Sequence, residues 1–355
     1  MVPPVLILVK NLTSGGAEKQ SVLLAKALED SCDVHYAILN ARYQEPKYLQ
    51  LLKEGSSVKV VAFQGSLPAR FRKFCKYLKQ HQIRHVFSYL TAANFYAVSA
   101  GKISGVQNIY TGIRNAYLPP AKAFIDRFLC NRVATKAVLN CYSGEKYFAE
   151  KGFNRHKMTV IPNCFENIAA PKVKYKTDDR VRIISVGRFV EQKDYATALL
   201  CVDRLRKKYP GIIYQIVGYG ELEAVIRSKV KELGLDNFVE IYINPGNIPD
   251  LLDRADIYLS TSVFEGTSNS IMEAMNADLP IVATDVGDNY KLVIKEKNGY
   301  LAAIKDVDEI VAALEKLITG ENRTEMGQYS KTHLQEQYSV QKFRDTYQQL
   351  IKEHL

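Results

Sequence analysis

Short apolar runs alternate with segments of helical periodicity along almost the whole chain. In the first half, the runs that predict strands cover residues 5–9, 34–39, 58–63, 86–89, 108–111, 137–140 and 159–161. In the second half, they cover residues 182–186, 212–217, 239–243, 257–260, 280–283 and 299–302. Apolar runs that alternate with helices are typical of parallel sheets whose strands are buried on both faces. The pattern therefore predicts an α/β protein.

A polar segment without regular apolar spacing, residues 167–179, separates the two halves and is interpreted as a linker. A chain of 355 residues also suits two domains better than one. We therefore predict two Rossmann-like, doubly wound domains, over residues 1–168 and 169–338. The last predicted helix, about residues 339–355, has no strand after it and is free to pack on either domain, including back on the first.

The composition is that of a globular protein. Apolar residues make up 47% and charged residues 24% of the chain, and no stretch approaches the roughly 18 to 20 uninterrupted apolar residues that a membrane-spanning helix needs. No basic leader or cleavage-like site precedes the apolar run at residues 5–9, so we expect a cytoplasmic protein. The six cysteines show no Cys-x-x-Cys pair and no metal-like spacing with the histidines, so reduced and mostly buried thiols are expected.

Positive charge is concentrated in the first half of the chain. Residues 1–170 carry 23 Lys and Arg against 10 Asp and Glu, whereas residues 171–355 carry 25 against 28. No acidic residue occurs between Glu54 and Asp126, a stretch with ten basic residues. We therefore expect the N-terminal domain to attract anions.

Within this basic stretch, residues 67–79 interleave apolar side chains with cations at helical spacing. One interpretation is a helix that lies on an anionic membrane, which would make the protein peripheral on the inner face of the plasma membrane. Another is an ordinary amphipathic helix that packs its apolar face on the sheet. A nucleic-acid contact ranks last, because no nucleic-acid-binding module accompanies the helix, and no nucleic-acid partner is expected.

Two glutamates, Glu265 and Glu273, carry the most informative candidate chemistry. Glu265 follows the strand predicted at residues 257–260, and Glu273 lies in the first turn or two of a helix predicted to begin near residues 268–270. Open α/β sheets bind ligands at the carboxyl ends of their strands, where a helix N-terminus also offers free N–H groups. Carboxylates accept hydrogen bonds from sugar hydroxyls in pairs. The alternative is a solvated loop acid and an acid that favours the helix dipole.

The residues between the two glutamates are also suited to a ligand-binding site. Gly266 permits close approach of the backbone, and a polar run supplies helix caps and donors, namely Thr267, Ser268, Asn269 and Ser270.

Three more predicted strands are followed by glycines. Gly15 and Gly16 precede the first helix, where backbone amides can approach a phosphate without the spacing of a dinucleotide fold. Gly218 and Gly220 leave room for a flat group or a ribose beside bare backbone. Each pair has an ordinary tight turn as its alternative.

The third glycine-containing segment also carries cations. Gly187 ends a strand, and Arg188 and Lys193 follow it across a turn into a helix. Both side chains can reach one diphosphate. The arginine can donate two parallel hydrogen bonds to it, and the lysine contributes a compact positive charge.

Together these residues resemble the family-4 retaining glycosyltransferases, which have the GT-B fold of two Rossmann-like domains facing a central cleft. The resemblance spans nearly the whole chain. It rests on residues 15–18, 161–163, 186–188, 192–194, 217–220, 255–256, 265–266, 273–275, 279–287 and 298–299.

The resemblance implies a nucleotide diphosphate sugar donor, held mainly by the second domain, and an acceptor bound by the first. Arg188 and Lys193 would neutralise the departing diphosphate, so no metal and no other cofactor is expected. Glu265 would hold hydroxyls of the donor sugar, and Glu273 the ribose hydroxyls. Gly15 and Gly16 would let the first domain close on the donor phosphates, and Gly218 and Gly220 would border the nucleotide. Retention is attributed to front-face attack without a side-chain nucleophile.

One segment departs from the common pattern of that family. Many members have a histidine after the strand predicted at residues 108–111, but this chain has Arg114 and Asn115. A subset that handles polysaccharide or lipid-linked acceptors is similar here, which implies that the pair binds the acceptor or the sugar diphosphate. The alternative for Arg114 is a surface cation.

Other functions with the same architecture stay open. A nucleotide-sugar 2-epimerase needs carboxylates in the first domain, and residues 55–125 contain none. A non-catalytic nucleotide-sugar-binding protein at a membrane would have little reason to keep the charged cluster. For a transferase, we expect UDP-hexose or UDP-N-acetylhexosamine first and GDP-mannose second. The basic first domain favours a polyprenyl-diphosphate-linked glycan or another anionic acceptor, such as a cell-surface polysaccharide precursor.

Overall fold

The computed structural model describes residues 3–42, 44–114, 117–169 and 179–354. Two compact units share the chain: Met1–Glu166 with Tyr338–Leu355, and Asn167–Gln337. Most of the predicted linker, residues 170–178, lies outside the described residues.

The first unit contains a parallel sheet of seven strands in the order β3-β2-β1-β4-β5-β6-β7. The strands are β1 Pro4–Val9, β2 Asp33–Ile38, β3 Lys59–Ala62, β4 His85–Tyr89, β5 Asn108–Ile113, β6 Lys136–Leu139 and β7 Met158–Val160. The helices between them are α1 Gly16–Leu28, α2 Pro46–Lys53, α3 Leu67–Gln80, α4 Thr91–Ser104, α5 Pro120–Arg132 and α6 Tyr142–Glu150.

The second unit contains a parallel sheet of six strands in the order β10-β9-β8-β11-β12-β13. The strands are β8 Val181–Val186, β9 Ile212–Gly218, β10 Val239–Ile243, β11 Ile257–Ser260, β12 Ile281–Thr284 and β13 Gly299–Ala302. The helices are α7 Tyr195–Arg206, α8 Glu223–Glu232, α9 Ile248–Arg254, α10 Asn269–Asn276, α11 Asn289–Leu292, α12 Val307–Thr319 and α13 Arg323–Tyr338. The last helix of the chain is α14 Val340–Lys352.

Every strand predicted from the apolar runs is present, with ends shifted by at most two residues. The physical reason is visible in β1, whose residues alternate between two cores. Val5, Ile7 and Val9 pack on one side of the sheet, and Leu6 and Leu8 pack on the other. A strand buried on both faces must be apolar at every position, which makes it conspicuous in a sequence.

The C-terminal helix α14 packs on the first unit. Phe343, Tyr347, Leu350 and Ile351 enter the core that α1 forms with the sheet. The Asn108 side chain at the start of β5 donates a hydrogen bond of 2.7 Å to the carbonyl oxygen of His354, just past the end of α14.

Of the three interpretations of residues 67–79, the structure supports the ordinary amphipathic helix. Phe74 and Leu78 of α3 are buried against the sheet, and Phe71 and Cys75 pack beside them. These side chains are therefore not available to a membrane surface. No helix among the described residues is long and apolar enough to cross a bilayer.

Candidate functional site

The candidate site of the second unit lies where its strand order reverses. The strands β8 and β11 are neighbours in the sheet, but the chain continues from β8 towards one edge and from β11 towards the other. The loops that leave these strands diverge and expose a crevice at their carboxyl ends, which is the usual ligand site of a doubly wound sheet. The sequence-predicted Gly187, Arg188 and Lys193 follow β8, and Glu265 follows β11.

Hydrogen bonds to backbone carbonyl groups tie the two loops together. The amide of Val263 donates to the Gln192 carbonyl oxygen at 2.9 Å, and the Gln192 side chain donates to the Phe264 carbonyl oxygen at 2.8 Å. The hydroxyl of Thr261 donates to the Lys193 carbonyl oxygen at 3.0 Å. Side chains on these loops therefore have fixed positions relative to each other.

Lys193 and Glu265 form an ion pair at this point. Lys193 Nζ lies 2.6 Å from Glu265 Oε1, and the two side chains are only 17% and 9% exposed. The Ser262 hydroxyl donates to the same Glu265 oxygen at 2.9 Å. Both charges are thus largely removed from water but compensated, and the carboxylate is oriented by two donors.

Arg188, the other predicted diphosphate ligand, is exposed on the same loop. No ion pair to Arg188 occurs within the described parts of the chain. Its guanidinium is therefore accessible to an anionic ligand, whereas Lys193 is already engaged.

The predicted glycines are required by the protein's own backbone. A Cβ atom on Gly218 would lie 1.9 Å from the Gly187 carbonyl oxygen, and one on Gly220 would lie 2.5 Å from the Phe189 carbonyl oxygen. Gly187 itself packs against the Lys193 side chain, with a hypothetical Cβ 3.1 Å from Lys193 Cε. The space expected beside Gly218 and Gly220 is thus partly filled by the loop after β8. A role for these glycines beside a nucleotide stays a prediction.

Helix α10 begins close to the predicted point, at Asn269 with Ser268 as its N-cap residue. Ser268 and Thr267 are buried, and the hydroxyl groups of Ser268 and Ser270 lie 3.3 Å apart. Glu273 is half-buried in the second turn of the helix. Burial and the nearby Glu273 and Glu265 carboxylates raise the pKa of the Tyr258 phenol, which therefore stays neutral and serves as a hydrogen-bonding group.

Four residues that support Glu265 and its loop were not predicted as site residues. Ser262 binds its carboxylate, and the Thr284 hydroxyl donates to the Ser262 carbonyl oxygen at 2.5 Å. Gly287 has a positive φ of 56°, and a Cβ there would lie 2.3 Å from the Glu265 carbonyl oxygen. The amide of Asp288 donates to the Gly266 carbonyl oxygen at 3.2 Å. Of these residues, Gly287 could have been recognised from the sequence, because it ends the family-like segment at residues 279–287.

In the first unit, the predicted glycine turn opens α1. The helix begins at Gly16, and Gly15 is its N-cap residue. The Glu18 carboxylate folds back over this turn, so that its Oε2 atom would lie 2.5 Å from a Cβ on Gly15. A carboxylate therefore occupies the helix N-terminus to which a phosphate was predicted to bind.

Arg114 is not the surface cation of the alternative interpretation, because it is only 8% exposed. Its Nη2 atom donates to the Tyr347 hydroxyl of α14 at 2.9 Å, and its guanidinium lies 4.2 Å from the centre of the Tyr89 ring. No described residue accepts a hydrogen bond from its Nε and Nη1 atoms. Acceptor binding by Arg114 stays a prediction. Asn115 lies outside the described residues.

A pocket of about 550 Å³ at the ends of β2 and β3 was not predicted. Its lining includes Asn40, Arg42, Gln64 and Arg70. The Arg70 side chain donates to the Leu39 carbonyl oxygen at 3.0 Å, which holds one cation in place. The pocket thus offers an anion-attracting cavity within the first unit. Across the described ranges, no group of three or more His, Cys, Asp or Glu residues is placed to hold a metal ion.

Comparison with known proteins relates this geometry to one family. Residues 167–333 match the model of the family described as glycosyl transferases group 1. An uncharacterized glycosyltransferase of Haemophilus influenzae is 27% identical over 224 residues, covering 62% of this chain and 61% of that protein. The chain spans between 34% and 61% of the length of the first curated relatives it matches.

Two further proteins are similar over their full length. One is the GalNAc-alpha-(1->4)-GalNAc-alpha-(1->3)-diNAcBac-PP-undecaprenol alpha-1,4-N-acetyl-D-galactosaminyltransferase of Campylobacter jejuni, 24% identical over 98% of this chain and 97% of that protein. The other is the crystal structure of Anabaena HepE in complex with UDP, with a TM-score of 0.83 and 18% identity over 99% of this chain and 100% of that chain. The two parallel sheets and this structural likeness confirm the predicted GT-B fold class. The part of the chain that carries the Lys193–Glu265 pair, residues 167–333, thus matches the family of glycosyl transferases group 1.

Proposed function

We propose that the chain is a retaining, metal-independent glycosyltransferase that moves a hexose or N-acetylhexosamine from a nucleotide diphosphate sugar to a glycan acceptor. The observation that carries the proposal is the Lys193–Glu265 ion pair at the strand-order reversal of the second sheet. It brings a cation for a leaving group and a carboxylate for sugar hydroxyls to the same crevice.

The chemistry of the reaction requires both charges. When the bond between the anomeric carbon and the diphosphate breaks, negative charge grows on the leaving group and positive character on the sugar. The Lys193 ammonium and the exposed Arg188 guanidinium stabilise the first, as preorganised donors in a site with little water. The Glu265 carboxylate accepts hydrogen bonds from donor-sugar hydroxyls and also stabilises the positive sugar. The acceptor attacks from the side of the leaving phosphate, which takes its proton.

The proposed donor is a UDP-sugar, with GDP-mannose as the next choice. HepE, which shares the fold, has been solved with UDP and with UDP-glucose. In this chain, Glu273 in the second turn of α10 is the proposed acceptor of hydrogen bonds from the ribose hydroxyls.

The proposed acceptor is a polyprenyl-diphosphate-linked glycan or a precursor of a surface polysaccharide. The printed name of the Campylobacter relative describes an undecaprenol-diphosphate substrate. In this chain, the first unit carries the positive surplus, and its pocket contains Arg42 and Arg70. The lipid-linked diphosphate is therefore the chemical class that this unit is best suited to attract.

The direct test separates donor binding from turnover. Thermal unfolding is measured with UDP, GDP and their sugars, because a ligand that binds only the native protein raises the midpoint. A second assay follows nucleotide release and sugar products. A midpoint increase with UDP and slow release of UDP from a UDP-sugar support the proposal. Formation of an epimeric nucleotide sugar would identify an epimerase, and binding without any turnover of donor and acceptor would identify a non-catalytic protein.

The burial of Asp126 is a further argument for a transferase over an epimerase. In residues 55–144, the only carboxylate is Asp126. This residue is buried, and it accepts hydrogen bonds from Asn94 at 2.9 Å and Thr91 at 2.6 Å. A carboxylate engaged in this way is a structural group rather than an acid or base for a substrate.

A further inference from the structure

Three helices of the first unit, α3, α4 and α5, form one layer. Each connects strands that advance in the same direction across the sheet, so right-handed crossovers place all three on the same face. The Ser104 hydroxyl of α4 donates to the Cys75 carbonyl oxygen of α3 at 3.2 Å. On the other side, Asn94 of α4 donates to Asp126 of α5 at 2.9 Å. The outer faces of the three helices thus form one continuous surface, called here the outer helical surface.

Three large apolar side chains of α5 face solvent, although Leu129 and Cys130 of the same helix are buried in the core. Phe124 and Phe128 are 63% and 57% exposed, and Ile125 between them is also exposed. The single carboxylate of the helix, Asp126, faces inward and is 2% exposed. The neighbouring α4 adds the exposed Phe95. Large apolar side chains grouped on one surface of a protein indicate a binding partner.

The charges on the same surface all have one sign. The outer face of α3 presents exposed cations, and α4 and α5 add more; they are Arg72, Lys73, Lys76, Lys79, Lys102, Lys122 and Arg132. None of these three helices carries an exposed carboxylate, because the only acidic residue in residues 55–144 is the buried Asp126. The partner must therefore present many negative charges together with an apolar layer.

We propose that the outer helical surface docks on an anionic lipid bilayer. Phe124, Ile125 and Phe128 enter the boundary between headgroups and acyl chains, and the cations of α3 to α5 contact lipid phosphates. A bilayer fits better than a protein partner, since a lipid surface requires no specific pattern of opposite charges and helices that combine Phe with Lys and Arg suit the membrane interface. The apolar anchor lies on α5 and not on α3, whose apolar residues are buried in the core.

The test measures sedimentation of the full chain with vesicles. Vesicles of equal parts phosphatidylcholine and phosphatidylglycerol are compared with vesicles of phosphatidylcholine alone, at low and at high salt. The wild type should bind the anionic vesicles at low salt, more weakly at high salt, and the neutral vesicles least. No sugar donor is present, so the outcome is independent of the proposed transferase activity.

Variants identify the surface. Phe124→Ser combined with Phe128→Ser should weaken binding to anionic vesicles by about tenfold or more, because two interfacial anchors are removed. The control Val225→Ser removes an apolar side chain with a similar exposure of 60% from the second unit and should leave binding unchanged. Lys76→Glu should weaken binding by about fivefold or more, whereas the control Lys231→Glu, on an exposed lysine of α8, should have a smaller effect.

Three outcomes would overturn the proposal. The first is a wild type that stays in solution with anionic vesicles at low salt. The second is a Phe124→Ser, Phe128→Ser variant that sediments like the wild type. The third is a wild type that forms a dimer without vesicles and becomes monomeric in this variant, which would assign the surface to a second copy of the chain. The substituted side chains are exposed, so circular dichroism should confirm an unchanged fold.

Discussion

Lys193 and Glu265 lie 72 positions apart in the chain, yet Nζ of one and Oε1 of the other are 2.6 Å apart. The pair exists because β8 and β11 are neighbours in the sheet and their loops leave from the same edge. Each side chain neutralises a charge that would otherwise be left without water or partner. A diphosphate bound at Lys193 would compete with Glu265 for the ammonium group. Donor binding and the orientation of the carboxylate are therefore expected to be coupled.

Replacing Lys193 by alanine should reduce turnover of the nucleotide sugar by about 10²-fold or more, because one preorganised donor to the leaving group is lost. It should also lower the free energy of unfolding by about 3 kcal/mol, since the mostly buried Glu265 is left unpaired. The measurements are nucleotide release and urea unfolding. The control Lys208→Ala breaks the exposed Lys208–Glu315 pair of 3.0 Å and should change neither quantity markedly. Wild-type turnover in Lys193→Ala would contradict the assigned role.

The two glutamates should separate kinetically. Glu273→Ala should chiefly weaken nucleotide binding, because a hydrogen-bond acceptor for the ribose is removed, whereas Glu265→Ala should chiefly lower turnover. Titration with UDP and the comparison of kcat with KM distinguish the two effects. A Glu265→Ala enzyme with the wild-type rate, or a Glu273→Ala enzyme with unchanged affinity for UDP, would disprove the corresponding assignment.

Substitution of Gly218 by alanine should destabilise the second unit even if no ligand binds there. The added Cβ would lie 1.9 Å from the Gly187 carbonyl oxygen, which belongs to backbone and cannot move away freely. We expect a loss of about 3 kcal/mol in the free energy of unfolding. The matched control is Gly211→Ala, whose Cβ would meet no atom within 4 Å. Thermal unfolding of both variants tests the difference, and equal midpoints would show that the loop after β8 relaxes.

His85 should make the first unit sensitive to acid. Burial, together with the positive groups of His354 and Arg84, lowers the pKa of His85 from its ordinary 6.5 to about 4. The pKa of His85 is lower in the folded protein than in the unfolded chain, so the unfolded chain takes up a proton first as the pH falls. The contribution of neutral His85 to the free energy of unfolding is therefore present above about pH 6.5 and is lost as the pH falls towards 4. His85→Phe should keep the ring packing beside Tyr110 and weaken this acid dependence. Urea unfolding at several pH values between 4 and 6.5 measures how the free energy of unfolding changes with pH.

A matched variant checks that the effect belongs to the buried ring. His156→Phe removes an exposed histidine, and its unfolding curves should keep the acid dependence of the wild type. If His85→Phe and His156→Phe lose stability with falling pH to the same extent, His85 is not the group responsible.

Tyr347→Phe tests how α14 holds Arg114. The substitution keeps the aromatic packing but removes the acceptor of the 2.9 Å hydrogen bond from Nη2. A buried guanidinium without this partner should cost about 1 to 3 kcal/mol of unfolding free energy. If Arg114 also binds the acceptor, KM for the acceptor should rise while the affinity for UDP stays constant. An unchanged KM with reduced stability would make Arg114 a structural residue only.

Much of the fold was predictable from local sequence. Strands such as β1 and β9 are buried on both faces, so they are apolar at nearly every position. Loops and surface helices do not show such continuous apolar runs, which is why these strands could be predicted. The approximate positions of Lys193 and Glu265 followed too, since loops after parallel strands share one edge of a sheet. That the two side chains form a pair did not follow, because it depends on which strands are neighbours.

Other features depend on what covers each side chain. Local spacing showed that α3 has an apolar face, but only the structure shows Phe74 buried against the sheet. Local composition showed Arg114 as an isolated cation, but α14, more than two hundred residues later, buries it. The glycines at 218 and 220 were read as space for a ligand, whereas neighbouring backbone approaches them.

The sequence alone therefore determined the α/β class, the strands, the family-like motifs and the excess of positive charge in the first half. Those features reside in the chemical character of neighbouring residues. Tertiary structure decided the strand order, the Lys193–Glu265 pair, the burial of Arg114 and the outward position of Phe124 and Phe128. Contacts between distant segments cannot be read from local periodicity, because periodicity shows which face of an element is apolar and not what lies against it.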